Sequence, residues 1–143
     1  MIYTERINQA LKLCYQAHAG QTDKAGIPYV FHPVHLAEQM TTEEATIAAL
    51  LHDVVEDTPY TFSDLEAMGF PTPVIDALRL LTHEEETPYM DYVRRLSTNP
   101  IARQVKMADL RHNLDEIRMS GLPSSSSRTA KYRQALAFLL EQI

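Results

Sequence analysis

The chain has 143 residues, 45% of them hydrophobic and 22% charged, an ordinary globular composition with length enough for one domain and a real core. A formal charge of −6, from 13 basic and 19 acidic residues, argues against a nucleic-acid partner, which would need a basic patch. The single cysteine excludes an intramolecular disulfide, and neither a membrane-length apolar run nor a signal-peptide layout in "MIYTERINQA" is present, so a cytoplasmic protein is expected.

Taken in chain order, Ile7, Leu11 and Cys14 stripe a first helix, with Cys14 as a small buried hydrophobe in a reducing compartment. His32-Pro33 opens a second helix. "TTEEA" predicts Thr41 as N-cap of a third, with Glu44 completing a capping box, and this helix is expected to run from about Glu43 to Asp57. Thr61 and Asp64 form a second such pair. Thr72, Thr87 and Asn99 are expected N-caps, each followed by a proline at the first helical position, and Gly69 and Gly121 are expected C-terminal caps. Val74, Leu78 and Leu81 stripe one later helix, Ile101, Val105 and Ala108 another, and Leu136, Leu139 and Leu140 the last, which follows a polar loop "GLPSSSSR". With no strand pattern and no repeat, the expected fold class is all-α: a bundle of about seven to nine helices, several of them short.

One segment carries more than packing. In "TIAALLHDVVEDTPY" the core face is Ile47, Leu50, Leu51, Val54 and Val55, while His52, Asp53, Glu56 and Asp57 form a neighbouring stripe with no Lys or Arg among them. Either a helix end frays into an acidic loop, which opposes the macrodipole, or these groups face a cation. Other polar groups in apolar settings bear on the choice: His32 in "PYVFHP" and Asp109 in "VKMADLRHN", with Lys106, Asp109 and Asn113 sharing a face. Each alone is better read as a satisfied core or surface group. Together they make a mixed nitrogen and oxygen set that suits Mn, Fe, Ni or Zn better than Ca or Mg.

"GQTDKAGIPYVFHP", "TIAALLHDVVEDT" and "VKMADLRHN", in that order, resemble the HD-domain hydrolases of the RelA/SpoT type, among them the stand-alone small alarmone hydrolases. The resemblance spans roughly residues 1 to 140 and implies a single HD-type hydrolase domain over 1–143, with no synthetase domain following. It implies a Mn²⁺ ion held by His32, His52, Asp53 and Asp109, and Glu56 and Asp57 as the pair that handles the attacking water. The implied reaction releases pyrophosphate from the 3′ position of guanosine tetra- or pentaphosphate, so the expected partner is a small phosphorylated nucleotide and not a membrane.

The implied substrate contacts are Lys24, Lys106, Asn113, Arg128 and Tyr132. Here the chain departs from the family: the loop "R-K-S-G-E-P-Y" reads "DKAGIPY", which keeps Lys24, Gly26, Pro28 and Tyr29 but places Asp23 at the arginine, Ala25 at the serine and Ile27 at the glutamate. "A-D-R-L-H-N" reads "ADLRHN", keeping His112 and Asn113. His18 is expected to be structural near the site, and His35 and His83 to be solvated. Two alternatives remain: hydrolysis of a different nucleotide or phosphoester, and a nucleotide-binding regulatory module without turnover.

Overall fold

A computed structural model describes residues 1–119 and 127–143, with side chains described for 1–116 and 127–143. The expected Gly121 cap and most of "GLPSSSSR" lie outside the described residues. Among those described are nine helices and no strand: α1 (Glu5–Ala17), α2 (Phe31–Glu38), α3 (Glu43–Leu51), α4 (Val54–Asp57), α5 (Phe62–Ala67), α6 (Thr72–Leu81), α7 (Tyr89–Leu96), α8 (Pro100–Met119) and α9 (Ser127–Glu141). The expected all-α bundle is what forms, and among the described residues no helix is long and apolar enough to cross a membrane.

The bundle is organised around α3. Every residue from Ala45 to Leu51 is buried, so this helix has no polar face and must sit at the centre. It packs on α1, α2, α6 and α8. Ile47, Leu50 and Leu51 are each worth about 2 kcal/mol of apolar burial, which fixes the position of whatever follows them in the chain. Thr46, the one polar residue within this run, is satisfied by its hydroxyl donating to Thr42 O at 2.7 Å.

Helix starts follow local chemistry, with three shifts of a single residue. Thr42, not Thr41, caps α3: its Oγ1 accepts the Ala45 N–H at 3.2 Å. Pro71, not Thr72, caps α6, because the Pro71 carbonyl takes the Val74 and Ile75 amides, while Pro73 sits where no N–H is needed. Pro88, not Thr87, caps α7, its carbonyl accepting from Tyr92 N at 3.1 Å. The Thr61–Asp64 capping box forms in full, and Asn99 Oδ1 accepts the Ala102 amide at 3.0 Å at the start of α8. Gly69, at φ 87°, follows the end of α5, where a side chain would be strained.

Of the expected stripes, Leu140 is 43% exposed; Ala135 and Leu139 carry the buried line of α9 instead. The larger correction concerns the segment 43–57. The helix ends at Leu51, His52 is its C-cap, and Asp53 at φ −106°, ψ 1° begins the separate turn α4. Consecutive residues of a continuous helix diverge by about 100° around its axis. The break is what lets His52 and Asp53 point to one place.

Candidate active site

His32 comes from the first turn of α2, His52 from the end of α3, Asp53 from the start of α4 and Asp109 from the middle of α8. The fold brings all four together. His32 Nε2 lies 2.8 Å from Asp109 Oδ1, and His52 Nε2 lies 3.0 Å from Asp53 Oδ2 and 3.7 Å from Asp109 Oδ1. One ligand atom each from His32, His52 and Asp109 lies within 4.8 Å of the others, and the same holds for Asp53, Glu56 and Asp57.

The tautomer of His52 follows from its other nitrogen. Nδ1 sits 2.7 Å from Ala49 O and must donate to it, which leaves the Nε2 lone pair facing two carboxylates. That Nε2 is buried and makes no hydrogen bond of acceptable geometry. A lone pair aimed at anionic oxygens is repulsive unless a proton or a cation lies between them. Burial disfavours a charged imidazole, yet Asp53 and Asp109 outweigh it and hold the His52 pKa well above its usual value. The donor set therefore fits a divalent cation, with two imidazoles and two carboxylates as its ligands.

Around these four stands a set of supporting contacts. Burial alone would raise the Asp109 carboxyl, but Lys106 and the two histidines hold it well below the usual range. Lys106 Nζ donates to Asp109 Oδ2 at 3.0 Å and Asn113 Nδ2 to Asp109 Oδ1 at 3.2 Å, so two expected substrate contacts are engaged in fixing Asp109. Asp53, although largely desolvated, is lowered to about 2 by His52 and accepts the Tyr29 hydroxyl. His32 Nδ1 lies 2.6 Å from His112 Nδ1; with His32 Nε2 directed to the cluster, His32 Nδ1–H donates and His112 accepts. His112 suits that role, since burial and the neighbouring histidines lower its pKa to about 4 and keep it neutral. His35 is exposed but is not without partners: its ring lies 4.3 Å from that of His112.

The acidic pair is set apart from the ligands by one turn. Glu56 Oε1 accepts the His83 backbone N–H at 3.1 Å, and both Glu56 and Asp57 have pKa values raised by burial and by the Asp53 charge. Asp57 is held through its backbone: Gln21 Nε2 donates to Asp57 O at 3.1 Å, and Gln21 Oε1 lies 2.9 Å from His18 Nδ1. His18 is thus a buried brace beside the site, as its position in the sequence implied. His83 is partly buried rather than solvated: its Nε2 donates to Thr87 O at 2.7 Å and its ring lies 4.6 Å from that of Tyr92.

Two cavities flank the cluster. One of about 190 Å³ is lined by His52, Asp53, Glu56, His83, Tyr89, Tyr92, Lys106, Asp109, Lys131 and Tyr132. The other, about 400 Å³, lies against His32 and His112 and is walled by Ile27, Pro28, Tyr29, Phe31 and Val34, with Asn113 at its edge. Lys24 and Arg128 are exposed and line neither. Asp23, where the family places an arginine, accepts the backbone amides of Ala25 and Ile27 at 2.8 and 3.0 Å, with Gly26 at φ 82° completing the turn. Sequence reasoning missed Tyr29, His83, His112 and Lys131 as site residues; the spacing of "PYVFHP" and the "RHN" after Asp109 were the available signals for Tyr29 and His112.

No family-level profile matches the chain. It is 47% identical over 68 residues to the bifunctional (p)ppGpp synthase/hydrolase SpoT of Escherichia coli K12, covering 45% of this chain and 10% of that protein. Against the guanosine-3′,5′-bis(diphosphate) 3′-pyrophosphohydrolase of Haemophilus influenzae it is 35% identical over 112 residues, 68% of this chain and 16% of the relative. A metazoan ortholog of SpoT that hydrolyzes ppGpp superposes with a TM-score of 0.75 at 24% identity, over 99% of this chain and 87% of that one, which establishes the shared fold. The chain belongs to the RelA/SpoT hydrolase family. It spans only about a sixth or less of the length of those two bacterial family members. Within the family frame, the His52-Asp53 break and the Glu56-Asp57 turn fall in one short stretch of chain, with His32 and Asp109 supplied from α2 and α8.

Proposed function

We propose that this chain is a single HD-type hydrolase domain that releases pyrophosphate from the 3′ position of guanosine tetraphosphate or pentaphosphate, with Mn²⁺ as its ion. The observation that carries the reading is the His52 Nε2 lone pair, buried and turned toward the carboxylates of Asp53 and Asp109 one turn before Glu56. The relatives named for this reaction support the substrate. Two imidazoles among the ligands favour Mn²⁺ over Mg²⁺.

His32, His52, Asp53 and Asp109 would hold the ion; when bound, it supplies Lewis acidity at phosphorus and makes water easier to deprotonate. Glu56, fixed by the His83 amide, takes the proton of the attacking water, and its raised pKa makes it a better base than an ordinary carboxylate. Asp57, beside it, orients that water. Tyr29 and Lys106 keep Asp53 and Asp109 aimed, so little reorganisation is required as charge develops. The wider cavity presents flat apolar walls from Ile27, Phe31 and Val34 next to the amide of Asn113, a surface suited to a nucleoside. Neither the acidic chain nor a lone buried thiol favours a nucleic-acid partner or an oxidising compartment, so a cytoplasmic enzyme on a small nucleotide is the consistent reading.

Incubating the Mn²⁺-loaded protein with guanosine tetraphosphate and measuring pyrophosphate tests this directly. No release above a His52→Ala control would refute it.

Asp23 favours a second reading of the same chemistry on a different nucleotide, because a carboxylate spent on its own turn cannot offer the family's cation to a base. A panel of nucleotides in which guanosine 3′-diphosphates are turned over fastest would remove it. A non-catalytic binding module is disfavoured by the Glu56-Asp57 pair, which ligand retention alone does not require.

A further inference from the structure

The smaller cavity has one wall of metal ligands and one of a different character. Lining the same cavity as His52, Asp53 and Asp109 are Tyr89 and Tyr92 of α7, and Lys131 and Tyr132 of α9. Two ammonium groups line it, and they are not equivalent. Lys106 is mostly buried, its side chain 13% exposed, and committed to Asp109. Lys131 is held instead by aromatic faces: its Nζ lies 4.5 Å from the Tyr89 ring centroid and 5.8 Å from that of Tyr132. Among the described residues no carboxylate neutralises it, so its three N–H donors are directed by tyrosines and remain available at the cavity rim. A second unspent donor lies deeper. The Tyr89 hydroxyl is buried and makes no hydrogen bond of acceptable geometry; its neighbour Lys106 is a donor only, so the hydroxyl proton has no acceptor. That is a costly state for a polar group unless a ligand supplies the acceptor.

An unpaired cation and a buried hydroxyl with its proton unspent, lining the same cavity as His52, Asp53 and Asp109, are complementary to an acceptor-rich anion. We infer that Lys131 and Tyr89 form a subsite for the outer phosphate of a diphosphate group whose inner phosphorus is attacked at the cluster. The pair sets the length of phosphate chain the site prefers: a diphosphate reaches both walls, and a monophosphate reaches only one. Lys131 donates to the outer non-bridging oxygens, and Tyr89 donates through its hydroxyl. This rests on the hydrolase reading above but names residues outside both the ligand set and the acidic pair.

Calorimetric titration with inorganic pyrophosphate and with orthophosphate, at equal free Mn²⁺ in cell and titrant, reads the subsite without turnover. Lys131→Ala should weaken pyrophosphate binding roughly tenfold and orthophosphate binding much less, as expected when one charge-assisted hydrogen bond is removed. Lys131→Arg should recover most of the loss, and Tyr89→Phe, which keeps the ring under the cation, should show a smaller loss of its own. Because Lys131 is exposed, its replacement leaves the fold intact, and an unchanged melting temperature verifies this. Unchanged pyrophosphate affinity in Lys131→Ala, or equal weakening for both anions, would overturn the assignment. Pyrophosphate bound with this Lys131 dependence by a protein that does not cleave guanosine tetraphosphate would uphold the subsite and refute the proposed substrate.

Discussion

Replacing Asp109 by Asn isolates the charge that organises the site. The amide is nearly the same shape, so it still fills the place between the His32 Nε2 lone pair and Asn113 Nδ2, which meet Asp109 Oδ1 at 2.8 and 3.2 Å. Whichever way the amide turns, it presents no negative charge to Lys106 Nζ, which had donated to the Oδ2 carboxylate oxygen at 3.0 Å. The Lys106 and Asp109 side chains are only 13% and 9% exposed, so the ammonium is left buried without its counter-charge. Breaking such a pair costs about 3–5 kcal/mol. The lower end is expected, because the rings of Tyr92 and Tyr89, at 5.4 and 5.8 Å, still attract the cation. At roughly 2.1 cal/mol/K per residue, unfolding a chain of this length carries about 0.3 kcal/mol/K of entropy, so about 3 kcal/mol lowers the melting temperature by about 10 °C. Urea and thermal unfolding in excess chelator measure this without any contribution from ion binding. Adding Lys106→Met to the variant removes the stranded charge and should restore at least half of the loss. A loss below about 1 kcal/mol in Asp109→Asn, or a double variant no more stable than the single one, would refute the account of Asp109 as the counter-charge of Lys106.

Four further outcomes are expected. Mn²⁺ at about a hundred times its Kd should stabilise the wild-type protein by about 2.7 kcal/mol, and His32→Ala and His52→Ala should lose most of that gain together with bound metal by elemental analysis. Glu56→Gln should lower kcat by about 10²–10⁴ at unchanged metal content; because burial raises the Glu56 pKa, wild-type activity should fall with decreasing pH at values above the ordinary carboxylate range, as the base becomes protonated. Cys14, wholly buried and pushed up to about 12 by burial and then by the Asp53 charge, remains a protonated thiol at mildly alkaline pH, so a disulfide reagent should label it only on unfolding; rapid labelling of the native protein would contradict its placement. Thr42→Ala should cost about 1 kcal/mol in urea unfolding and Thr41→Ala much less, since only Thr42 accepts a helix amide.

What was legible in the sequence was chemistry tied to short spacing. The Thr61–Asp64 box and the Asn99 cap each declare themselves within four residues and each forms as expected, and the His52-Asp53 doublet brings its side chains within 3.0 Å. The cap of α3 was ambiguous because Thr41 and Thr42 both precede acids, and only the register of the first turn separates them. The break after Leu51 was hidden for a related reason: Val54 and Val55 continue the apolar spacing, so pattern alone reads one helix where the backbone makes two. The roles of His83, Lys131 and Tyr89 arise from packing between segments far apart in sequence, and no local signal carries them. Asp23 shows the opposite limit. Its departure from the family motif is obvious in the sequence, but its purpose appears only when its carboxylate is seen closing its own turn.

The wholly buried helix α3 has a consequence for how the site moves. His52 hangs from the end of a segment in which every residue from Ala45 to Leu51 is sealed in the core, and its ring is tied back to Ala49 O. Such a segment has no inexpensive local opening, and its amides are expected to exchange with solvent chiefly through global unfolding. His52 is therefore anchored to the most deeply buried part of the fold. Under the proposed function, ligand entry and release are expected to involve the more exposed α7, α9 and 23–27 turn rather than the end of α3.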